Sequence, residues 1–302
     1  MPELPETETI ARDLDGALRG AVIRSAQVLR GDVLRDPAVG GRALKGAALQ
    51  RTARATESIL RGALFHGVTR RAKSIVLDLG ASGRLVVTPR FTGALLIGEH
   101  PPESGATGLS ADALTAPDHN PYDCVLLQLT DGRTLRYRDI RRLGTFALMN
   151  ESQFARWESI LGPEPLDPEL TAERFSGILR GSSRAVKTVL MDQRKLAGVG
   201  NIYANEACWR AGLRPSRRGI SVTRAQAAIL LRVLQAVLHE SIALRGTTFR
   251  DFQDAYGGRG GFAAHLAVYG RGGLPCLRCS ALLKESHKLE GRSTVWCAAC
   301  QS

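Results

Sequence analysis

Four of the six cysteines, Cys276, Cys279, Cys297 and Cys300, form a C-x2-C-x17-C-x2-C pattern near the C-terminal end of the chain. Two such knuckles joined by so short a span leave room for little more than a β-hairpin. Four thiolates at this spacing suit a tetrahedral zinc site closed to solvent. Two disulfides are the alternative. The N-terminus is acidic and broken by two prolines, unlike a secretory signal, and this points to the reducing cytosol, where free thiolates persist. The expectation is therefore one structural zinc ion. Cys124 and Cys208 stand apart in apolar surroundings and read as buried hydrophobes.

A chain of 302 residues can hold two or three domains, and 44% hydrophobic content excludes a disordered chain. No run of about 18 apolar residues is present, so no membrane span is expected. The formal charge of +12 calls for a polyanionic partner, and nucleic acid is the commonest. Arginine supplies most of the basic side chains, which suits bidentate contacts to phosphate.

Taken in order, the chain reads as a helix, a β-rich stretch, a helical stretch and the cysteine hairpin. Pro5 suits the first turn of a helix, with Ile10, Ala11, Leu14, Ala17 and Leu18 on one face and a stop near Gly20. Ser74–Leu79 and Leu85–Thr88 read as strands about a Gly80–Gly83 turn. Val125–Thr130 and Arg133–Arg138 flank Asp131-Gly132, a two-residue hairpin signal. Gly98–Pro121, rich in Gly, Pro, Ser and Asp, reads as a long surface loop. Helical patterns begin near Glu151, are interrupted by Pro163, Pro165 and Pro168, and resume from Thr171 to about Leu179 and over Val186–Leu190. Thr223 and Gln226 make a capping box. Ile229, Leu230, Val233, Leu234, Val237, Leu238 and Ile242 then form a long apolar face that stops at Gly246. The Gly198-Val199-Gly200-Asn201 turn is either structural or a place where free N–H groups hold a phosphate. Gly257–Gly261, with four glycines, reads as a mobile loop.

The first residues, Met1-Pro2-Glu3-Leu4-Pro5-Glu6, carry potential chemistry. Removal of the methionine would leave a secondary amine on Pro2. Such an α-amino group titrates near about 7.7–8.0, so part of it is neutral and nucleophilic at cellular pH. An amine of this kind forms a Schiff base, with Glu3 beside it to give or take a proton. A solvent-exposed terminus with a chance proline is the bland alternative.

These pieces occur together in one known family. Met1–Glu6, Arg70–Lys73 (RRAK), Thr134–Asp139 (TLRYRD), Leu161–Leu166 (LGPEPL), Leu190–Glu206 (LMDQRKLAGVGNIYANE) and the cysteine hairpin with Gly291-Arg292-Ser293-Thr294 stand in its order. Over nearly its whole length the sequence resembles formamidopyrimidine-DNA glycosylases, bacterial base-excision repair enzymes. Leu4 favours this branch over that of endonuclease VIII, where glycine is usual. The resemblance implies an α+β multidomain fold: an N-terminal helix plus β-sandwich lobe (1–148), a helix-two-turn-helix lobe (149–256) and a lesion-loop and zinc-finger segment (257–302). It implies a monomer acting on damaged double-stranded DNA in the bacterial cytoplasm, without a redox or organic cofactor and without a membrane. The activity implied is removal of oxidised purines, 8-oxoguanine and formamidopyrimidines, followed by strand nicking through β,δ-elimination. Oxidised pyrimidines as the preferred lesion, or non-catalytic binding of damaged DNA, are the alternatives.

Residue by residue, the resemblance makes Pro2 the nucleophile at the sugar C1′ and Glu3 the acid/base. Lys73 becomes the hairpin lysine of proton transfer in β-elimination, and Arg292 the finger arginine that grips phosphate and serves δ-elimination. Asn201 would meet the lesion-side phosphate, His119 would contact DNA, and Arg141 would enter the vacated stack and face the orphaned base. Lys187 and Glu206 match polar residues near the base pocket and its cleft. This chain departs from the family pattern where the stack is filled. Thr88-Pro89-Arg90-Phe91 replaces His-Leu-Gly-Met, so Phe91 stands for the stack-filling methionine. Leu143 replaces the wedging phenylalanine, and Ile140 a proline. Gly260-Gly261-Phe262 replaces Gly-Tyr-Phe in the lesion-capping loop. These departures fall on the elements that set lesion and opposite-base preference in the family.

Overall fold

The computed structural model describes residues 2–35, 44–99 and 120–302. Most of the Gly98–Pro121 loop, and with it His119, lies outside the described residues. Helix α1 (Leu4–Leu18) follows the expected stripe: Ile10, Ala11, Leu14 and Leu18 are all buried. Its start is fastened by the Glu3 N–H, which donates to the Glu6 carboxylate at 2.8 Å.

Two antiparallel four-stranded sheets follow. Strands β1 (Ile23–Val28), β5 (Gly93–Glu99), β6 (Asp123–Leu129) and β7 (Arg133–Asp139) make one, in the order β1-β6-β7-β5. Strands β2 (Gly67–Arg71), β3 (Ser74–Asp78), β4 (Arg84–Thr88) and β8 (Thr145–Met149) make the other, in the order β2-β3-β4-β8. Alternate residues such as Ile75, Leu77, Leu85 and Val87 face Val125, Leu127, Leu135 and Tyr137 in one core, sealed along one side by α1. Between β1 and β2 lies a helix the sequence pattern did not announce, α2 (Gly46–Leu60). Its inward face is Leu49, Ala53, Thr56 and Leu60, with Thr56 and Leu60 buried and Leu49 and Ala53 partly buried against the sandwich core.

The helical part comprises α3 (Glu151–Ser159), α4 (Ala172–Arg180), α5 (Val186–Met191), α6 (Asn201–Arg210) and α7 (Arg224–Ala243). Helix α7 has the expected Thr223/Gln226 capping box. Its buried face is rotated from the expected one: Leu231 is buried whereas Ile229 is exposed. The core of this part includes Leu4 from the N-terminal segment, while Phe252 and Ala255 from beyond α7 pack into the sandwich. Each half thus lends side chains to the other. The glycine-rich 257–261 segment, expected to be mobile, is tied down on both sides. Gly258 N–H donates to Asp254, Gly260 N–H to Thr248 Oγ1 and Gly261 N–H to the Leu244 carbonyl. Strands β9 (Lys284–Ser286) and β10 (Thr294–Trp296) form the C-terminal hairpin.

Candidate active site

Four segments far apart in sequence line one cleft of about 380 Å³: Pro2, the β2–β3 turn with Lys73, the β4–β5 loop with Arg90 and Phe91, and the β9–β10 turn with Arg292. Trp157, Met191 and Gln193 complete it from the helical side. A larger cleft of about 680 Å³ lies between α2 and the β3–β4 turn. It contains none of the residues singled out above, and size alone does not mark the chemistry.

Glu3 sits beside Pro2 and is only 3% exposed. Its carboxylate accepts the Ile202 N–H at 3.0 Å and reaches the Tyr203 N–H at 3.5 Å. It therefore rests on the positive end of α6. Two glycines make this approach possible. A Cβ on Gly200 would lie 2.2 Å from the Glu3 carboxyl carbon, and one on Gly198, whose φ is +81°, would lie 2.8 Å from Leu4. The Leu4 N–H donates to the Gly198 carbonyl, and Gln193 clamps the turn by accepting from Gly198 N–H and donating to the Val199 carbonyl. The glycine turn is thus a socket for the N-terminal segment, and the amides of Ile202 and Tyr203 serve Glu3. Asn201 is the first residue of α6, next to that carboxylate.

Beneath Glu3, the buried Glu6 accepts from Tyr203 Oη at 2.5 Å and from the Thr247 N–H at 2.7 Å. Tyr203 Oη also meets Ser241 and Thr247 hydroxyls. Burial, then the adjacent Glu3 charge, pushes the Glu6 carboxyl above the ordinary glutamate range, against the pull of those hydrogen bonds. Lys73 is shifted the other way. Desolvation in the cleft lowers its ammonium below the usual lysine range, with Arg292 and Arg90 adding to the effect and Glu3 and Glu6 opposing it. A lysine so placed gives up a proton more readily than one in water, as a proton-transfer group requires.

The lysine turn is braced by motif residues to which the sequence assigned no role. Glu164, in the segment joining the lobes, accepts from Arg70 (2.7 Å), Arg71 (2.8 Å) and the Ala72 N–H (2.7 Å). Arg70 also donates to Glu8 of α1 at 2.8 Å. A charged chain therefore runs from the helix behind Pro2, through the lysine turn, to the other lobe.

Phe91 is 42% exposed and Leu143 39%, and the Arg141 guanidinium lies 4.9 Å from the Phe91 ring centroid. The two loops expected at the base stack therefore meet. Lys187 and Glu206, expected near the base pocket and its cleft, are buried struts. Lys187 is 1% exposed and donates to the Ser293 carbonyl at 2.6 Å and Thr294 Oγ1 at 2.8 Å, bracing the strand that follows Arg292. Burial lowers its pKa to about 8. Glu206 is fully buried and accepts the N–H groups of Ala267, Val268 and Tyr269. A carboxylate satisfied by three amides shapes the backbone and leaves nothing to offer DNA.

The sulfurs of Cys276, Cys279, Cys297 and Cys300 all lie within 4.8 Å of one another, and none of these cysteines is in a disulfide. A tetrahedral thiolate site with metal–sulfur bonds of about 2.3 Å has edges of about 3.8 Å. The Cys276–Cys300 and Cys279–Cys297 separations of 4.0 and 3.5 Å bracket that value. The N–H groups of Arg278 and Cys300 already point at Cys276 and Cys297 sulfurs. This donor set can hold one metal ion. The hairpin docks on α6 through Arg278, which lies over Trp209 and donates to the carbonyls of Trp209 and Arg210. Cys124 and Cys208 are buried, as expected.

Residues 1–146 match the family model for the formamidopyrimidine-DNA glycosylase N-terminal domain, and residues 161–253 that for the formamidopyrimidine-DNA glycosylase H2TH domain. The formamidopyrimidine-DNA glycosylase of Xanthomonas campestris pv. campestris (strain B100) is 37% identical over 303 residues, covering 100% of both chains. Among solved structures, a complex between a Lactococcus lactis FPG mutant and Fapy-dG-containing DNA superposes with a TM-score of 0.83 at 27% identity, over 100% of both chains. The wild-type Lactococcus lactis protein in complex with oxidised-pyrimidine-containing DNA gives 0.81 at 27% identity, again over 100% of both. No helix among the described residues is long and apolar enough to cross a membrane.

Proposed function

The chain belongs to the formamidopyrimidine-DNA glycosylase family, and from that premise we propose that it excises oxidised purines from duplex DNA and nicks the strand with Pro2 as nucleophile. The observation that carries this reading is the convergence of Pro2, Lys73 and Arg292 on one cleft, with Glu3 held beside Pro2 by α6. A base inside a duplex is out of reach, so the nucleotide is flipped into the cleft. Once the initiator methionine is removed, the neutral Pro2 nitrogen bonds to C1′ of the sugar. The C1′–base bond breaks and its electron pair leaves with the base, which takes up a proton. Opening of the C1′–O4′ bond, with a proton from Glu3 to O4′, leaves an iminium at C1′. That cation acidifies C2′–H. Lys73 assists removal of this proton, and the C3′–O bond breaks with the phosphate as leaving group. Loss of the C4′ proton then expels the 5′ phosphate, with Arg292 on the phosphate. Water hydrolyses the iminium and restores the amine.

Arg141 and Phe91 fill the vacated stack, and Asn201 and His119 contact the backbone near the lesion. The four thiolates hold one zinc ion that fixes the hairpin carrying Arg292. The protein works as a monomer on cytoplasmic DNA. A wider lesion range that includes oxidised pyrimidines is the second reading. It is favoured by the replacement of the stack-filling methionine and wedging phenylalanine with Phe91 and Leu143.

The test is strand cleavage on a panel of lesion duplexes, with borohydride trapping of the iminium. Trapping is expected at Pro2 and should vanish when an N-terminal extension blocks the amine. Normal trapping in the extended chain would rule out Pro2.

A further inference from the structure

Two loops rise from different sheets to present Phe91 and Arg141, yet both are fastened to one carboxylate. Asp139, the last residue of β7, is 1% exposed. Its Oδ1 accepts from Thr92 Oγ1 at 2.7 Å and from the Arg141 N–H at 3.2 Å. Its Oδ2 accepts from the Gly144 N–H at 2.8 Å and faces the Tyr137 hydroxyl at 3.4 Å. Thr92 Oγ1 in turn accepts from the Arg141 N–H at 3.0 Å. Among the described residues Asp139 forms no salt bridge, so hydroxyl and amide donors alone compensate a buried carboxylate. Such donors have fixed directions, whereas a long cationic side chain would adapt. The carboxylate therefore dictates the path of both loops.

The backbone above it is held in conformations that side-chain-bearing residues seldom adopt. Phe91 has φ +48° and Arg142 φ +50°. Left-handed φ at such residues is strained and persists only where the surroundings impose it. Here it turns the Phe91 ring outward beneath the Arg141 guanidinium, at cation–π distance.

We infer that Asp139 is a positioning residue that joins the Phe91 and Arg141 loops into one preformed plug. The aromatic that fills the stack and the guanidinium that reads the orphaned base then enter the duplex together. This rests on the reading of Phe91 and Arg141 as the stack-filling pair. An aromatic ring lacks the flexibility of methionine, so its aim must be set before DNA is met. The ion–ring contact supplies that aim only while the two loops keep their spacing.

Asp139→Asn tests this directly. The amide NH2 must face either the Gly144 N–H or the Thr92/Arg141 donors, so at least one of these bonds is lost while side-chain volume is kept. Thr92→Val cuts the bridge without touching the buried carboxylate, and decides the matter alone if Asp139→Asn does not fold. Single-turnover excision is measured on lesion duplexes with cytosine or adenine opposite, alongside β-elimination on a single-stranded abasic oligonucleotide, which has no stack to fill. Both variants should lose at least tenfold more rate on the duplex than on the single strand. The preference for one opposite base over the other should fall at least threefold. Equal losses on both substrates, or an unchanged opposite-base preference, would overturn the inference. A wild-type protein that cleaves the abasic single strand but ignores every lesion duplex would instead sink the stack-filling reading on which it rests.

Discussion

Replacing Glu164 should separate two steps of the reaction that most active-site changes damage together. Its carboxylate takes three hydrogen bonds, two from arginines and one from the Ala72 N–H, in the turn that carries Lys73. Arg70 is 8% exposed at its side chain and Glu164 18%, so the pair is largely but not wholly dry. Removing one partner of a fully buried ion pair costs about 3–5 kcal/mol. Arg70 keeps Glu8, and water can reach Arg71, so Glu164→Ala should cost about 2–3 kcal/mol, within the range for a broken buried network. Glu164→Gln keeps an acceptor for the Ala72 N–H and should cost about half as much. The kinetic effect follows from geometry. Ala72 has φ +55°, a strained turn that the Glu164 bond helps to hold. A shift of about 1 Å in a reacting group can cost about a hundredfold. On an abasic duplex, β-elimination should slow by about ten- to a hundredfold in Glu164→Ala. Iminium formation, which depends on Pro2 and Glu3, should slow by less than about threefold. Urea unfolding and quenched-flow borohydride trapping read the two quantities separately. A stability loss below about 1 kcal/mol, or equal slowing of trapping and elimination, would refute the brace.

Phe91→Ala should cost more on lesion duplexes than on abasic duplexes, where less stacking must be broken, and more than Leu143→Ala on either, because the ring carries the larger stacking surface. Single-turnover rates on the two substrates decide it, and a larger loss from Leu143→Ala would return the wedge to the other loop. Metal analysis should find one zinc per chain, and Cys297→Ser should lose DNA affinity in electrophoretic shift assays; full affinity in a zinc-free preparation would exclude the site. Arg292→Ala should weaken binding and flatten the salt dependence by about one counterion while leaving thermal unfolding unchanged. Lys187 gives a pH signature. Its folded pKa of about 8 lies below the ordinary lysine value, so between pH 8 and about 10.4 the unfolded chain holds more protons and stability rises with pH. Cys208, Glu3, Glu290 and Arg292 are the titratable or charged groups around it. In Lys187→Met the rise should be smaller than in the wild type, as read from urea midpoints across that range.

Much of the architecture was legible because its signals are local. The 3.6-residue stripe of α1, the Asp131-Gly132 hairpin, the Thr223 capping box and the cysteine spacing each specify an element from a few neighbouring residues. Helix α2 went unread although Leu49, Ala53, Thr56 and Leu60 recur at helical spacing, because alanine and threonine at two of those four positions make a stripe of low apolar contrast. The rotation of the α7 face has a similar origin. Seven apolar positions left room for more than one buried stripe, and packing against α4 and α6 chose the one containing Leu231.

Within the site, Pro2, Lys73 and Arg292 were given roles in advance, whereas the residues that hold them were not. Pro2, Lys73 and Arg292 are recognisable as chemistry-bearing types in short motifs. Glu164 and Asp139 lie inside quoted motifs, LGPEPL and TLRYRD, but neither motif says what its carboxylate holds. Their importance arises only from partners 92 and 47 positions away. Lys187 and Glu206 show the converse. Both were assigned to DNA, Glu206 from inside a quoted motif, and their charges are directed at the backbone of the cysteine hairpin and of the segment before it. In this molecule a charged residue's exposure, rather than its membership of a motif, separates groups that can meet the substrate from groups that aim them. Exposure is a property of the packed chain. Arg292, in the hairpin, and Lys187, on α5, meet the same stretch of chain, yet only Arg292 is exposed, because Lys187 is enclosed against β10.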